Sequence, residues 1–159
     1  MKLEFPEAAR LVSLLAERRL TLCCAESCTG GWFAKSIVDI PGASAVFFGG
    51  VVSYTNEIKQ KLLFVKEQTL SRYTAVSAPV AQEMAEGVRA RFSSDIGISV
   101  TGLAGPDGGS EEIPVGRVFI GITTAAGTEV LTLTLAGARE DVRRGAVSEM
   151  IGALIARLT

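Results

Sequence analysis

Helical and strand-like apolar patterns alternate along the first two thirds of this 159-residue chain, and that order limits the fold to a few classes. TLCCAE, residues 21–26, is a short apolar run typical of a buried strand. It lies between a predicted helix over 4–19 and a turn over 27–31. The inward face of the predicted helix would carry Ala8, Leu11, Val12 and Leu15.

The alternation continues toward the C-terminus. A second helix is predicted over 32–38, with Phe33, Ile37 and Val38 facing inward. VFFGGVVSY, residues 46–54, is strand-like, and its Gly49-Gly50 pair indicates a bulge or a close approach. A helix follows over 55–64. Ser77 and Pro79 then mark the start of another helix, which runs to about residue 92.

The last third of the chain adds three strands and a helix. DIGISVT (95–101), RVFIGITT (117–124) and TEVLTLTL (128–135) have strand patterns, and the short link after residue 124 predicts a hairpin. The final helix, about 140–157, would bury Val147, Ile151, Leu154 and Ile155. Strands separated by helices and then joined by a hairpin predict one α/β domain over 1–159, with a mixed β-sheet flanked by helices.

Charge and composition limit the kinds of partner that we expect for the chain. A net charge of −1 does not suggest the basic face that a nucleic-acid backbone or an anionic membrane needs, so we expect neither partner. No apolar run reaches membrane-spanning length, and the N-terminus makes a poor signal peptide, so a cytoplasmic protein is expected. Cys23, Cys24 and Cys28 are predicted to be reduced thiols in a buried strand and the turn after it, not a metal site.

Three glycine-marked turns are candidates for binding chemistry: ESCTGG (26–31), PGAS (41–44) and TGLAGPDGG (101–109). A glycine turn before a helix offers backbone N–H groups to an anion, and Cys28-Thr29-Gly30-Gly31 fits that description. A purely structural turn remains the alternative for each loop. TGLAGPDGG is not the phosphate loop of nucleotide hydrolases, because it has no Gly-Lys-Ser/Thr ending, and it is not the dinucleotide fingerprint, because its glycines at 102, 105 and 108 are spaced by three.

The chain has no histidine, so a serine nucleophile would need another base. Lysine can serve when it is neutral, which burial against apolar groups favours. Lys59 follows the apolar run 46–52, whereas Lys61 lies two residues further on. The spacing alone leaves open which of the two faces inward, and an ordinary surface charge remains the alternative for Lys59.

Several of these motifs, taken in order, resemble the CinA C-terminal domain family. The resemblance rests on AESCTGG, on PGAS with FFGGVVSYTNEIK, and on VTGLAGPDGG with PVGRVFIG, and it extends from about residue 8 to 157. Characterised members are nicotinamide-nucleotide amidases, which convert nicotinamide mononucleotide to nicotinate mononucleotide and ammonia. The family implies a serine–lysine mechanism with no cofactor and no metal, a small nucleotide as substrate, and a homo-oligomer. Without the partner domain that often precedes it, the chain resembles a stand-alone version.

The resemblance also implies roles for individual residues. Ser44 would be the nucleophile, Lys59 the base, and Tyr54 would assist through a hydrogen bond to either. Phosphate would bind at the CTGG turn or the GLAGPDGG turn. The residues expected to line the substrate site are Ser27, Thr29, Gly30, Gly31, Thr101, Gly102, Gly105 and Arg139, with Arg143 as the alternative to Arg139.

The sequence departs from the family pattern at Ile113, Phe64 and Ala138, where a lysine, a glycine and an acidic residue are usual. Two other functions stay open on this basis. One is a nucleotide-binding or regulatory module without catalysis. The other is a serine–lysine amidohydrolase that acts on a different small amide.

Overall fold

A computed structural model describes residues 2–159, which form a five-stranded sheet with helices on both faces. The strands are β1 (Leu22–Glu26), β2 (Phe47–Val52), β3 (Ile96–Gly102), β4 (Arg117–Thr124) and β5 (Gly127–Thr134). The α-helices are α1 (Glu7–Arg18), α2 (Trp32–Val38), α3 (Asn56–Leu63), α4 (Glu67–Tyr73), α5 (Ala78–Phe92) and α6 (Arg139–Leu158). A single 3₁₀ turn covers Ala43–Ala45.

The sheet order is β2-β1-β3-β4-β5. The pairs β2–β1 and β1–β3 are parallel, whereas β3–β4 and β4–β5 are antiparallel. This confirms the predicted mixed sheet flanked by helices, including the late hairpin. Because β1, β2 and β3 run in one direction, their carboxyl ends meet at one edge of the sheet, where α/β proteins commonly bind ligands.

Two apolar layers cover the sheet. Helices α1, α2 and α6 pack on one face, in a cluster that includes Leu15, Phe33 and Ile151. Helices α3, α4 and α5 cover the other face around Leu63 and Met84. Within the described range 2–159, no helix has both the length and the apolar character to cross a bilayer.

Most predicted helices and strands match the structure, with differences at their ends. The exceptions are one helix that was not predicted and one residue that was wrongly predicted to face inward. Helix α4 was not predicted, since EQTLSRY places only Leu70 in the core. The inward prediction for Val38 was wrong: its side chain is 64% exposed, because Ser36 and Ile37 occupy the buried arc at that end of α2. All three cysteines are buried free thiols, as expected.

The Gly49-Gly50 pair provides both features that the sequence suggested. The β1–β2 register shifts by one residue near this point, which is a bulge. A Cβ on Gly50 would lie 2.4 Å from the Cys24 Sγ atom, so the strands approach too closely for a side chain there.

Candidate functional site

The carboxyl ends of β1 and β2 bring two polar groups together. Ser27 follows the last residue of β1, and its backbone N–H donates to the Val100 carbonyl of β3 at 3.1 Å. Ser53 follows the last residue of β2, and its N–H donates to the Glu26 carbonyl at 2.8 Å. These bonds continue the parallel ladder past the strand ends and fix the two serines side by side.

Lys59 enters this edge from α3. The Thr55 side chain caps the helix by accepting a hydrogen bond from the Ile58 N–H at 3.3 Å, which places Lys59 one turn into α3. Lys59 and Leu63, four residues apart, form the buried face of this helix, whereas Lys61 is exposed. The helical period therefore decides between the two lysines.

The Lys59 side chain is 1% exposed. Its Nζ atom lies 2.9 Å from Ser27 Oγ, 2.8 Å from the Ser53 carbonyl oxygen and 3.3 Å from the Tyr54 carbonyl oxygen. No carboxylate forms an ion pair with it within the described chain. Burial lowers the pKa of Lys59 from 10.5 to about 8 and outweighs the opposing effect of Cys28.

These three contacts can be satisfied in both protonation states of the amine, since the ammonium form donates to all three oxygens, including Ser27 Oγ. A neutral amine has two N–H donors and one lone pair. The two carbonyl oxygens can only accept, so they take both N–H groups, and the lone pair is left for the Ser27 hydroxyl. In that state the Ser27 O–H donates to Lys59, which is the geometry of a base that activates a nucleophile.

Ser44 does not join this pair. It lies in the 3₁₀ turn before β2, it is exposed, and no hydrogen bond links it to Lys59. Ser53 and Lys59 come after the other end of β2, and a six-residue strand spans about 17 Å. The expected Ser44–Lys59 pair is therefore corrected to Ser27–Lys59, because a parallel strand separates the PGAS turn from the carboxyl edge.

Tyr54 also differs from expectation. Its backbone carbonyl contacts Lys59, but its hydroxyl accepts a hydrogen bond from Arg139 Nη2 at 3.3 Å instead of bonding to the serine or lysine. The ring is 62% exposed, at the rim of the site. Arg139 also donates to the Gly105 carbonyl at 2.6 Å, so it joins the ends of β2 and β3.

The CTGG turn is not the open anion site that was expected. The buried Glu26 carboxylate accepts hydrogen bonds from the Phe33 and Ala34 N–H groups, at 2.8 and 3.0 Å, and from Thr29 Oγ1 at 2.6 Å. These N–H groups are the donors at the start of α2, so the protein's own carboxylate already satisfies them.

The remaining predicted residues have structural partners. The Thr101 hydroxyl donates to the Ala75 carbonyl at 2.8 Å, on the α5 side of the sheet. Gly102 packs so closely that a Cβ would lie 3.2 Å from Cys28 Sγ. Gly30 and Gly31 have φ values of 60° and 98°, which let the chain turn sharply into α2.

Arg143 contacts the Ser27 turn from α6. Its Nε donates to the Cys28 carbonyl at 2.9 Å and its Nη2 to the Thr29 carbonyl at 3.2 Å. The guanidinium also lies 5.3 Å from the centre of the Trp32 ring. Neither Arg139 nor Arg143 forms an ion pair with a carboxylate in residues 2–159.

Two contributors to the site were not predicted. Glu26 was placed at the end of the strand 21–26 and the start of the ESCTGG turn but was given no role in the site, although a carboxylate that closes a buried apolar run signals a specific partner. The Ser53 carbonyl carries no sequence signal, because any residue supplies one. Nowhere in the described range do three or more His, Cys, Asp or Glu side chains cluster as metal ligands would.

Comparison with known proteins places this chain in a family. The profile of the CinA C-terminal domain matches residues 5–158. Competence-damage inducible proteins of Caldanaerobacter subterraneus subsp. tengcongensis and Acetivibrio thermocellus are 53% and 52% identical over 133 and 130 residues, which is 84% and 82% of this chain. These residues cover 32% of each relative, so the chain spans about a third of the length of the curated relatives it matches.

Solved structures agree with the profile. The competence/damage inducible protein CihA from Agrobacterium tumefaciens superposes with a TM-score of 0.93 at 36% identity, covering 98% of both chains. A CinA superfamily protein from Klebsiella pneumoniae gives 0.92 at 33% identity, covering 96% of this chain and 95% of the other. The chain belongs to the CinA C-terminal domain family.

Proposed function

We propose that this protein is an amidase that hydrolyses the carboxamide of nicotinamide mononucleotide, with Ser27 as nucleophile and Lys59 as base. The observation that carries the proposal is the 2.9 Å approach of Ser27 Oγ to a buried lysine whose pKa is lowered to about 8. A serine next to a lysine that is easily deprotonated is one of the nucleophile–base pairs that hydrolyse amides.

The reaction proceeds in two halves. Neutral Lys59 takes the Ser27 proton while the serine oxygen attacks the carboxamide carbon, and N–H groups of the 27–31 turn hold the developing oxyanion. Protonated Lys59 then gives its proton to the nitrogen, which leaves as ammonia. Water, deprotonated by Lys59, cleaves the acyl ester to nicotinate mononucleotide and restores Ser27.

The charge at the rim fits a substrate that carries a phosphate. Arg139 has only neutral partners, the Gly105 carbonyl and the Tyr54 hydroxyl, so its charge is free to attract an anion. We assign the 5′-phosphate to Arg139, which was the substrate residue expected on family grounds, instead of to the start of α2, where Glu26 occupies the donors.

The test is ammonia release from nicotinamide mononucleotide, nicotinamide and glutamine. We expect release from the nucleotide, and we expect Ser27→Ala to reduce kcat by at least about 10³-fold. Ser44→Ala is the matched control, because it removes the same hydroxyl at the opposite edge of the sheet and should leave the rate unchanged.

The outcomes separate the alternative functions. Release from glutamine or another simple amide, without the nucleotide preference, would indicate a serine–lysine amidohydrolase of different specificity. No release from any of the three compounds would favour a binding module. Loss of activity in Ser44→Ala with full activity in Ser27→Ala would overturn the assigned nucleophile.

A further inference from the structure

Strand β2 is an open edge of the sheet. Within residues 2–159 it pairs with β1 alone, and no strand lies on its other side. The Ser53 N–H points toward β1, where it donates to the Glu26 carbonyl at 2.8 Å. Because peptide groups alternate in direction along a strand, the N–H and C=O groups of Gly50 and Val52 point to the open side. This side therefore offers main-chain donors and acceptors to another strand.

The β2 edge lacks the charges that usually protect a strand edge. Charged side chains on edge strands discourage pairing with other chains. The opposite edge of this sheet is polar, since β5 exposes Glu129, Thr132 and Thr134. By contrast, residues 40–56 contain no Asp, Glu, Lys or Arg. The bulge lies nearer the start of β2, so residues 50–52 keep a regular register with β1. The edge is thus suited to an uncharged strand as its partner.

Apolar side chains are exposed along the same edge. Val38, Phe48, Val52 and Tyr54 are between 51% and 64% exposed. Four such side chains present roughly 400 Å², about half of the ~800 Å² that each partner contributes to a standard interface. The other exposed residues between 41 and 56 surround them and supply further area. Burial against a second chain would explain why Val38, an apolar residue next to the core, faces outward.

We propose that β2 pairs antiparallel with β2 of a second copy of this chain, across a two-fold axis at Val51. A second copy presents the same uncharged edge, and a two-fold axis repeats every contact. In this register Gly50 lies opposite the partner's Val52, and the peptide groups of both point across the interface. Phe48 lies opposite the partner's Tyr54, which pairs two exposed rings. The interface does not depend on the proposed amidase activity.

The first experiment measures the mass of the protein in solution. Sedimentation equilibrium should give about twice 16.7 kDa for wild type. We expect Phe48→Asp to raise the dissociation constant of the dimer by about 100-fold or more, because it brings two like charges into an uncharged interface. Phe64→Asp is the matched control. Phe64 is 57% exposed at the end of α3, outside the segment 40–56, so its replacement should leave the dimer unchanged.

The second experiment tests the register. All three native cysteines are buried, so an introduced thiol is the accessible one. At the two-fold axis, the Cα atoms of Val51 in the two copies would lie about 4.5 Å apart, within the range of a disulfide. Val51→Cys should therefore give a covalent dimer on a non-reducing gel, as the two introduced thiols pass two electrons and two protons to oxidised glutathione.

Val52→Cys is the matched control for the register. Its side chain is more exposed than that of Val51, so a thiol there would react at least as readily in random collisions. In the proposed register, however, the Cα atoms of Val52 in the two copies lie about 8 Å apart, beyond the reach of a disulfide. We therefore expect Val52→Cys to remain without a covalent link under the conditions that link Val51→Cys.

The outcomes identify which idea fails. A monomeric wild type would overturn the interface, and so would a dimer that Phe48→Asp leaves intact, since another face would then hold it together. A covalent dimer of Val52→Cys without one of Val51→Cys would overturn the register. An unchanged far-UV circular dichroism spectrum of Phe48→Asp would show that loss of the dimer is not loss of the fold. A wild-type dimer that releases no ammonia would contradict the proposed function and leave the interface standing.

Discussion

The pH dependence of turnover tests the assigned role of Lys59. Only the neutral amine can take the Ser27 proton, so kcat/KM should follow the neutral fraction of the free enzyme. With a pKa of about 8, that fraction is about 1% at pH 6, 9% at pH 7 and 50% at pH 8, approaching completeness near pH 9.

An unburied lysine would behave differently. With the ordinary pKa of 10.5, the neutral fraction at pH 7 would be only about 0.03%, roughly 300-fold less than with a pKa of about 8. Burial thus favours the neutral form by about 3 kcal/mol. The shapes of the two pH profiles differ most between pH 9 and 10, where the first has reached a plateau and the second still rises nearly tenfold per pH unit.

The assay is initial ammonia release at low substrate concentration between pH 6 and 10. The substrate phosphate itself titrates near pH 6. We therefore expect nicotinamide riboside to lose any feature at about pH 6 and to keep the one at about pH 8. Lys61→Met, on the exposed face of α3, should leave the curve unchanged. A flat profile, or a rise that continues past pH 9 without levelling, would refute the argument.

Three further predictions concern stability. The unfolding free energy of wild type relative to Lys59→Met should rise by about 2 kcal/mol between pH 7.5 and 9.5, because a lowered pKa means that the unfolded chain binds more protons in this window. The same free-energy difference between wild type and variant at both pH values, measured by urea unfolding, would contradict this. Glu26→Gln should destabilise the protein by about 2 kcal/mol in urea unfolding, since the amide cannot accept from all three donors around it. As a control, Glu57→Gln on the exposed surface should change the unfolding free energy by less than about 0.5 kcal/mol. Gly87→Ala should destabilise the protein by about 3 kcal/mol, because the new Cβ would lie 1.8 Å from the Leu63 carbonyl oxygen. Gly152→Ala, whose Cβ would have no atom within 4 Å, should stabilise α6 by up to about 1 kcal/mol. Equal effects of the two variants on thermal unfolding would show that helix propensity, not packing, dominates.

Local sequence patterns predicted most of the fold. The spacing of Ala8, Leu11 and Leu15 requires a helix with one apolar face, and α1 buries these residues. The short link between two alternating runs requires neighbouring antiparallel strands, and β4 and β5 pair along their whole length. The pattern failed at α4, where seven residues with one buried leucine leave no periodic signal.

The candidate site was likewise predicted only in part. The sequence indicated Lys59 as the candidate base through its family resemblance in a chain without histidine, although its spacing left open whether Lys59 or Lys61 faces inward until the structure showed Lys59 and Leu63 on the buried face of α3. It could not identify the partner. Ser27 and Ser44 both occupy glycine-marked turns, and nothing local distinguishes them. Only the tertiary structure decided between them, because parallel pairing of β1 with β2 places the end of one strand beside the end of the other and leaves Ser44 at the opposite edge of the sheet.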